Sequence, residues 1–254
     1  CMDSTADNYD ANATVDDGSC NYPMTYVPDD NFEQYLIDQG WDDVLDDSVR
    51  TASIDTVTSL SLPDWGINAT GIQDFIALEH LFGYGVSNLS LNCANTLVTL
   101  DLPMGSSWGA SQGSLNLNNY TALTYLSCSD GNLTNLNVSG CTSLEELNFY
   151  YNNVTNLDVS SCTSLEELNC SYNNLTSLDL SNNTALTYLN CRENQLTSLD
   201  VSNNTALTNL SCSYNNLASL DVRNGNNTNM YSFNCSDNPN LECIDVDDPV
   251  WSTA

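Results

Sequence analysis

The chain contains no lysine, one histidine (His80) and only three arginines (Arg50, Arg192 and Arg223), set against 33 aspartates and glutamates. Without lysine there is no Schiff-base chemistry and no P-loop, and one histidine is too few for a zinc cluster or a set of histidine-based catalytic centres. A formal net charge of −30 repels nucleic acid and anionic lipid, so neither is expected as a partner. No apolar run is long enough to span a bilayer, which argues against membrane insertion. Charged residues of all kinds are scarce, 14% against 41% apolar, and that balance excludes an acidic disordered tail. What remains is a folded chain of 254 residues, long enough for one large domain or two small ones, whose polarity comes from Asn, Ser and Thr.

Eleven cysteines, an odd number, are the first positive signal. Cys1 and Cys20 bracket the loop CMDSTADNYDANATVDDGSC, which is too small to build a core. Cys1 alone also fits an acylated lipobox cysteine. The loop favours a disulfide instead, worth about 3 kcal/mol by the chain-entropy argument and implying an oxidising, extracellular compartment. The chain opens in mid-motif and so reads as a processed or truncated product.

Internal periodicity dominates the rest. Units beginning at Leu123, Leu144, Leu165, Leu186 and Leu207 repeat every 21 residues without a gap, and a sixth from Met230 arrives two residues late. Each reads L-x-x-L-x-C-x-x-N-x-L-x-x-L-x-V/L. The first half predicts a short strand whose copies stack in parallel, about 4.8 Å apart. Its leucines and sixth-position Cys128, Phe149, Cys170, Cys191, Cys212 and Cys235 point inward, and Cys93 is assigned the same place in its own coil. The ninth-position Asn152, Asn173, Asn194 and Asn215 are expected inside the turn, satisfying backbone groups of neighbouring coils, with Gly131 interrupting that column. No single unit has a core of its own, so stability is a sum over stacked neighbours.

Upstream the repeat is irregular. Strands of diverged coils are predicted at 57–62, 77–82, 88–93 and 97–102, with an inserted loop from Pro103 to Gly113. In PDDNFEQYLIDQG, Pro28-Asp29-Asp30 start a helix, Phe32 and Leu36 lie one turn apart, and Gly40 stops it. The domain organisation is therefore a small acidic module (1–22), a helical N-terminal cap (23–50), diverged repeats (51–122), regular repeats (123–243) and a C-terminal edge (244–254) that the end of the chain cuts short.

The units L-T-x-L-x-C and N-x-L-T-x-L-D-V-S resemble the internalin-like, cysteine-ladder leucine-rich repeats of secreted bacterial proteins, with surface proteins of Bacteroidetes the nearest likeness. VPDDNFEQYLIDQGWDDVLDDSV followed by TGIQDFIALEHL resembles the segment that precedes the repeats in that group, and NPNLECIDVDDPVWSTA its closing segment. The opening C-x-D…D-D-G-S-C loop is similar to a small module of large extracellular proteins. The resemblance implies a right-handed solenoid with a parallel sheet on its concave face and irregular turns on its convex side. It also implies a secreted or surface-attached protein used in adhesion or recognition.

Catalysis finds little support. Glu145/Glu146 and Glu166/Glu167 recur because the repeat copies them, and the ladder cysteines are inward fillers with little reactivity. No cofactor is required. Asp3, Asp7, Asp10, Asp16 and Asp17 supply the oxygen donors a Ca²⁺ ion requires, although an acidic loop is also ordinarily just solvated. The expected recognition face carries Tyr125, Glu146, Tyr150, Tyr151, Glu167, Tyr172, Tyr188, Arg192, Tyr214 and Tyr231, seven of the chain's thirteen tyrosines. Tyrosine offers contact area with a polar tip, suited to a protein or glycan ligand, and it is equally a good strand-surface residue. Asn132, Asn153, Asn174, Asn182 and Asn203 are accessible N-x-S/T sequons, though the repeat generates many such triplets automatically. Cys141 and Cys162 share one outer position in adjacent coils, within reach of a disulfide, and Cys243 is left over. The functional expectation is a non-enzymatic extracellular adhesion or recognition protein. The alternative is a structural subunit of a filament or surface layer, built from copies of itself.

Overall fold

The computed structural model describes residues 1–4, 6–15, 18–63, 66–103 and 113–247. At the N-terminus Cys1 and Cys20 form a disulfide, with Cα atoms 4.7 Å apart. The cap follows: β1 (Met24–Tyr26), α1 (Asp30–Asp38), β2 (Ser48–Arg50) and α2 (Thr51–Ile54). Helix α1 starts where Asp29 accepts hydrogen bonds from the backbone N–H groups of Asn31 and Phe32, satisfying two donors that a helix end leaves open. It stops where Gly40, at φ +77°, allows the Gly40 and Trp41 N–H groups to bond the carbonyls of Ile37 and Leu36. Phe32 and Leu36 are fully buried, and the Phe32 ring lies 6.2 Å from that of Phe75 in the first coils. The antiparallel β1–β2 pairing, Thr25 opposite Val49, has no signature in the alternation of so short a segment.

Beyond the cap the chain winds into stacked coils. The strands are β3 (Ser59–Ser61), β4 (His80–Phe82), β5 (Thr99–Asp101), β6 (Ser114–Asn116), β7 (Tyr125–Ser127), β8 (Asn135–Asn137), β9 (Glu146–Asn148) and β10 (Glu167–Asn169). They continue with β11 (Tyr188–Asn190), β12 (Ser198–Asp200), β13 (Asn209–Ser211), β14 (Ser219–Asp221), β15 (Ser232–Asn234) and β16 (Ile244–Asp245). Nine form one all-parallel sheet in the order β3-β4-β5-β7-β9-β10-β11-β13-β15. Two short parallel sheets, β6-β8 and β12-β14-β16, come from the second half of the unit. The middle residue of every main strand except β15 is a buried leucine, Leu126, Leu147, Leu168 and Leu189 at 0% exposure, which is why three residues suffice to define a strand here; β15 has the half-buried Phe233.

The ninth-position asparagines stitch the coils together as expected. Asn173 accepts from the Val154 N–H through Oδ1, and its Nδ2 donates to the carbonyls of Phe149, Cys170 and Ser171. Asn152, Asn194 and Asn215 repeat the pattern, and Asn238 extends it into the last coil.

Three expectations about the coils need correction. Residues 88–93 form no strand. Cys93 is not in the inner ladder, because its carbonyl accepts from Thr96 and Leu97 at the turn that enters the next strand. Tyr120, Cys141, Cys162, Asn183 and Asn204 occupy the same turn in later coils, each accepting from the N–H of the leucine three residues on. Finally, Cys141 and Cys162 are not disulfide-bonded and not at an outer position. Both are free and buried, and their thiols point into the coil toward the carbonyls of Leu117 and Val138. The inserted loop falls largely on 104–112, outside the described residues.

A candidate recognition face

The outward residues of the nine-stranded sheet fall in register from strand to strand. Parallel pairing sets Tyr125 beside Glu146, Glu146 beside Glu167, and Glu167 beside Tyr188, at successive spacings of about 4.8 Å. Glu146 is half-buried and receives a 2.7 Å hydrogen bond from Asn148 Nδ2. Burial, and next the charge of Glu167, pushes its carboxyl above the usual range. Burial and Asp101 likewise raise the Tyr125 phenol.

A second group lies where each strand turns out of the sheet. Asp130, Tyr151, Tyr172, Glu193, Tyr214 and Asp237 are the equivalent residue of successive coils, and all take left-handed backbone, with φ of 58, 52, 55, 54, 55 and 56°. That conformation is unfavourable for a bulky side chain, by about 1–2 kcal/mol. It is enforced because the next residue (asparagine from Asn152 onward) must turn inward to bond two coils. The Tyr151 and Tyr172 rings stack, with centroids 4.1 Å apart and planes 15° from parallel. Tyr150 meets Tyr151 edge-on at 5.8 Å. The Arg192 guanidinium continues the ridge, 5.6 Å from the Tyr172 ring and 4.7 Å over that of Tyr214. Its Nε is buried without a hydrogen-bond partner, and its Nη2 lies 3.6 Å from a Glu193 carboxylate oxygen. The Tyr151 phenol is raised first by its hydrogen bond to Tyr172, and the Tyr150 phenol by burial and then by Asp130.

Thus the structure gathers Tyr150, Tyr151, Tyr172, Arg192 and Tyr214 into one ridge, and Tyr125, Glu146, Glu167 and Tyr188 into one row. Tyr231 stands apart, 88% exposed, one residue ahead of β15. The left-handed column escaped the sequence reading because no glycine marks it; its only trace is the residue immediately before each ladder asparagine.

The remaining candidate residues are scattered. Asp3 accepts from the Tyr22 hydroxyl and Asp10 from the Asn12 N–H, while Asp16 and Asp17 lie outside the described residues. Among the described residues, the carboxylates that converge within 4.8 Å are Asp30, Glu33 and Asp47 of the cap. Glu33 already accepts from the N–H groups of Asp46 and Ser48. Asn132, Asn153, Asn182 and Asn203 are exposed, whereas Asn174 is half-buried and accepts from Gln195. The ladder thiols Cys128, Cys170, Cys191 and Cys212 are buried, and burial pushes that of Cys170 up to about 12.

No family model matches the sequence, and no curated protein does. Solved structures do. The functional domain of InlJ from Listeria monocytogenes, which includes a cysteine ladder, is 24% identical at a TM-score of 0.53, over 88% of this chain and 64% of that one. A Leptospira interrogans leucine-rich-repeat protein is 18% identical at 0.63, over 80% and 59%. An internalin-like Listeria protein is 22% identical at 0.59, over 85% and 71%. The fold is a leucine-rich-repeat solenoid. The chain spans about three fifths of the first two of these structures. Of the outward row Glu167 is exposed and Tyr125, Glu146 and Tyr188 are half-buried, and on the ridge Tyr151 and Tyr214 are exposed. No described helix is long and apolar enough to cross a membrane.

Proposed function

We propose that this chain is a non-enzymatic recognition or adhesion module. It binds a protein or glycan through the open face of its main sheet and the tyrosine–arginine ridge beside it. The observation that carries this reading is the ridge itself: Tyr151 on Tyr172, then Arg192 between Tyr172 and Tyr214. Three of these tyrosines occupy left-handed backbone, an unfavourable placement that core packing does not require. Side chains pre-stacked on one another lose little freedom on binding, which favours affinity. The Cys1–Cys20 disulfide supports an extracellular or surface setting. The cysteine-ladder and internalin-type solenoids it resembles support the same reading.

The test is a surface-plasmon-resonance screen of the full chain against purified extracellular proteins and a glycan array, repeated with Y151S/Y172S/Y214S. The variant should lose at least ten-fold in affinity for whatever the native chain binds, while its melting temperature stays within a few degrees. Unchanged affinity would remove the ridge from the binding surface.

A further inference from the structure

We propose that the main sheet docks a basic segment of a protein partner, with a lysine or arginine side chain seated on the Glu146–Glu167 pair between Tyr125 and Tyr188. The proposal rests on the reading of this face as the recognition surface and narrows the partner's chemistry.

The two glutamates are direct neighbours across β9 and β10, and like charges so placed destabilise a sheet. Asn148 holds Glu146 in position, so this carboxylate stays fixed on the sheet beside the exposed Glu167. No cation of this chain relieves the repulsion. Arg50 lies 4.1 Å over the Tyr22 ring, Arg223 pairs with Asp221 and Asp245, and Arg192 is held between tyrosines beside Glu193. There is no lysine. The chain's own arginines thus leave the pair free to take a cation from a partner.

The flanks of the row say what kind of cation fits. Tyr125 and Tyr188 stand one strand beyond the pair on either side. An aromatic ring within about 6 Å attracts an ammonium or guanidinium and offers its apolar face to the methylene stem. A hard metal ion needs about six to eight oxygen ligands, which two carboxylates flanked by rings do not supply. The net charge of −30 steers a basic partner to this surface and holds off an anionic polysaccharide.

The test titrates the full chain with blocked hexapeptides of lysine, glutamine and glutamate, followed by amide chemical shifts. Hexalysine should give a saturable response concentrated on β7, β9, β10 and β11, and the other two peptides none. E146Q/E167Q should weaken hexalysine at least ten-fold, and Y125S/Y188S several-fold. D158N/D179N removes the same two charges from the turn side of neighbouring coils and should change affinity less than two-fold. Equal losses in the two acid-to-amide variants, or shifts spread over the whole acidic surface, would overturn the proposal by showing attraction to charge alone. If the screen finds a ligand that needs the tyrosine ridge but is indifferent to E146Q/E167Q, the basic-partner inference fails and the recognition face stands. If neither set of variants affects any ligand, both fail.

Discussion

Cys162 and Asn183 are the same residue of the solenoid one coil apart. The Cys162 thiol reaches the carbonyl of Val138 at 3.6 Å, and Asn183 Nδ2 reaches that of Val159 at 3.1 Å, each 24 residues back. Cys141 and Asn204 make the corresponding bonds to Leu117 and Leu180. The column is thus a series of buried donors, each directed at the carbonyl 24 residues back, filled by thiols early and later by amides that also reach the carbonyl 21 residues back.

Interchange within that column should be tolerated. Asn183 also leaves its Oδ1 buried without a partner, a burden a thiol does not carry. Asn183→Cys is expected to stay within about 1 kcal/mol of the native chain. Asn183→Leu removes one of the two donors to each of the Val159 and Cys162 carbonyls and should cost about 1–3 kcal/mol. Urea midpoints of the two variants provide the comparison.

Thiol labelling should divide the cysteines sharply. Cys243 is exposed, and Cys93, Cys128, Cys141, Cys162, Cys170, Cys191 and Cys212 are buried. Burial also raises the Cys170 and Cys162 thiols to about 12, leaving almost no thiolate at neutral pH. Iodoacetamide on the folded chain, read by peptide mass, should modify Cys243 first. The buried seven should react only after unfolding, and early labelling of Cys141 or Cys162 would contradict their inward placement.

The left-handed column should respond to glycine according to what each side chain touches. Glu193 touches the Arg192 guanidinium at 3.6 Å, a half-exposed pair worth under about 1 kcal/mol, and Glu193→Gly is expected to stabilise by up to about 1 kcal/mol as the backbone is relieved. Tyr151→Gly gains the same relief but loses its stack on Tyr172, about 0.5–1.5 kcal/mol, and should come out near neutral. The difference between the two, by denaturant unfolding, weighs the ring contacts of Tyr151 with Tyr150 and Tyr172 against the Glu193–Arg192 pair.

The carboxylate pair gives a pH signature. The folded-state carboxyl of Glu146 is raised by burial and by Glu167, with Asp101 adding to it, so the ionised form penalises the fold. That penalty is fully present above the folded pKa. It shrinks as pH falls toward the unfolded value of about 4.3, because the folded chain takes up the proton first. Glu146→Gln should therefore raise stability at pH 7 by about 0.2–1 kcal/mol, with the gain fading toward pH 4. Asp158 and Asp179 are lowered by their hydrogen bonds to Ser160 and Ser181. They contribute in the opposite sense, with stability lost as pH falls through their folded values.

Much of this was legible before any coordinates. A 21-residue period fixes which residues face inward, because a one-residue slip would expose Leu147 or Leu168 and no partner could compensate. The start and stop of α1 were readable from Pro28-Asp29-Asp30 and Gly40, since capping is local chemistry, and the structure picks Asp29 as the cap. The ladder asparagines were readable for a related reason: a buried amide recurring at one place in every coil must be bonded to backbone.

The sequence by itself determined the repeat, the inward leucine and asparagine columns, the capping helix and the scarcity of cations. Tertiary structure decided the direction in which equivalent side chains point and what they meet. Cys141 and Cys162 are close enough in spacing to pair, yet successive parallel coils aim their thiols the same way, each at a carbonyl behind it. Tyr151, Tyr172 and Tyr214 are separated by one and two 21-residue periods in any solenoid. Only the left-handed turn before each ladder asparagine brings them with Arg192 into one ridge, and only the strand register leaves Glu146 and Glu167 side by side without a cation of their own. Periodicity specifies position along the coil, and packing between coils sets the vector of each side chain.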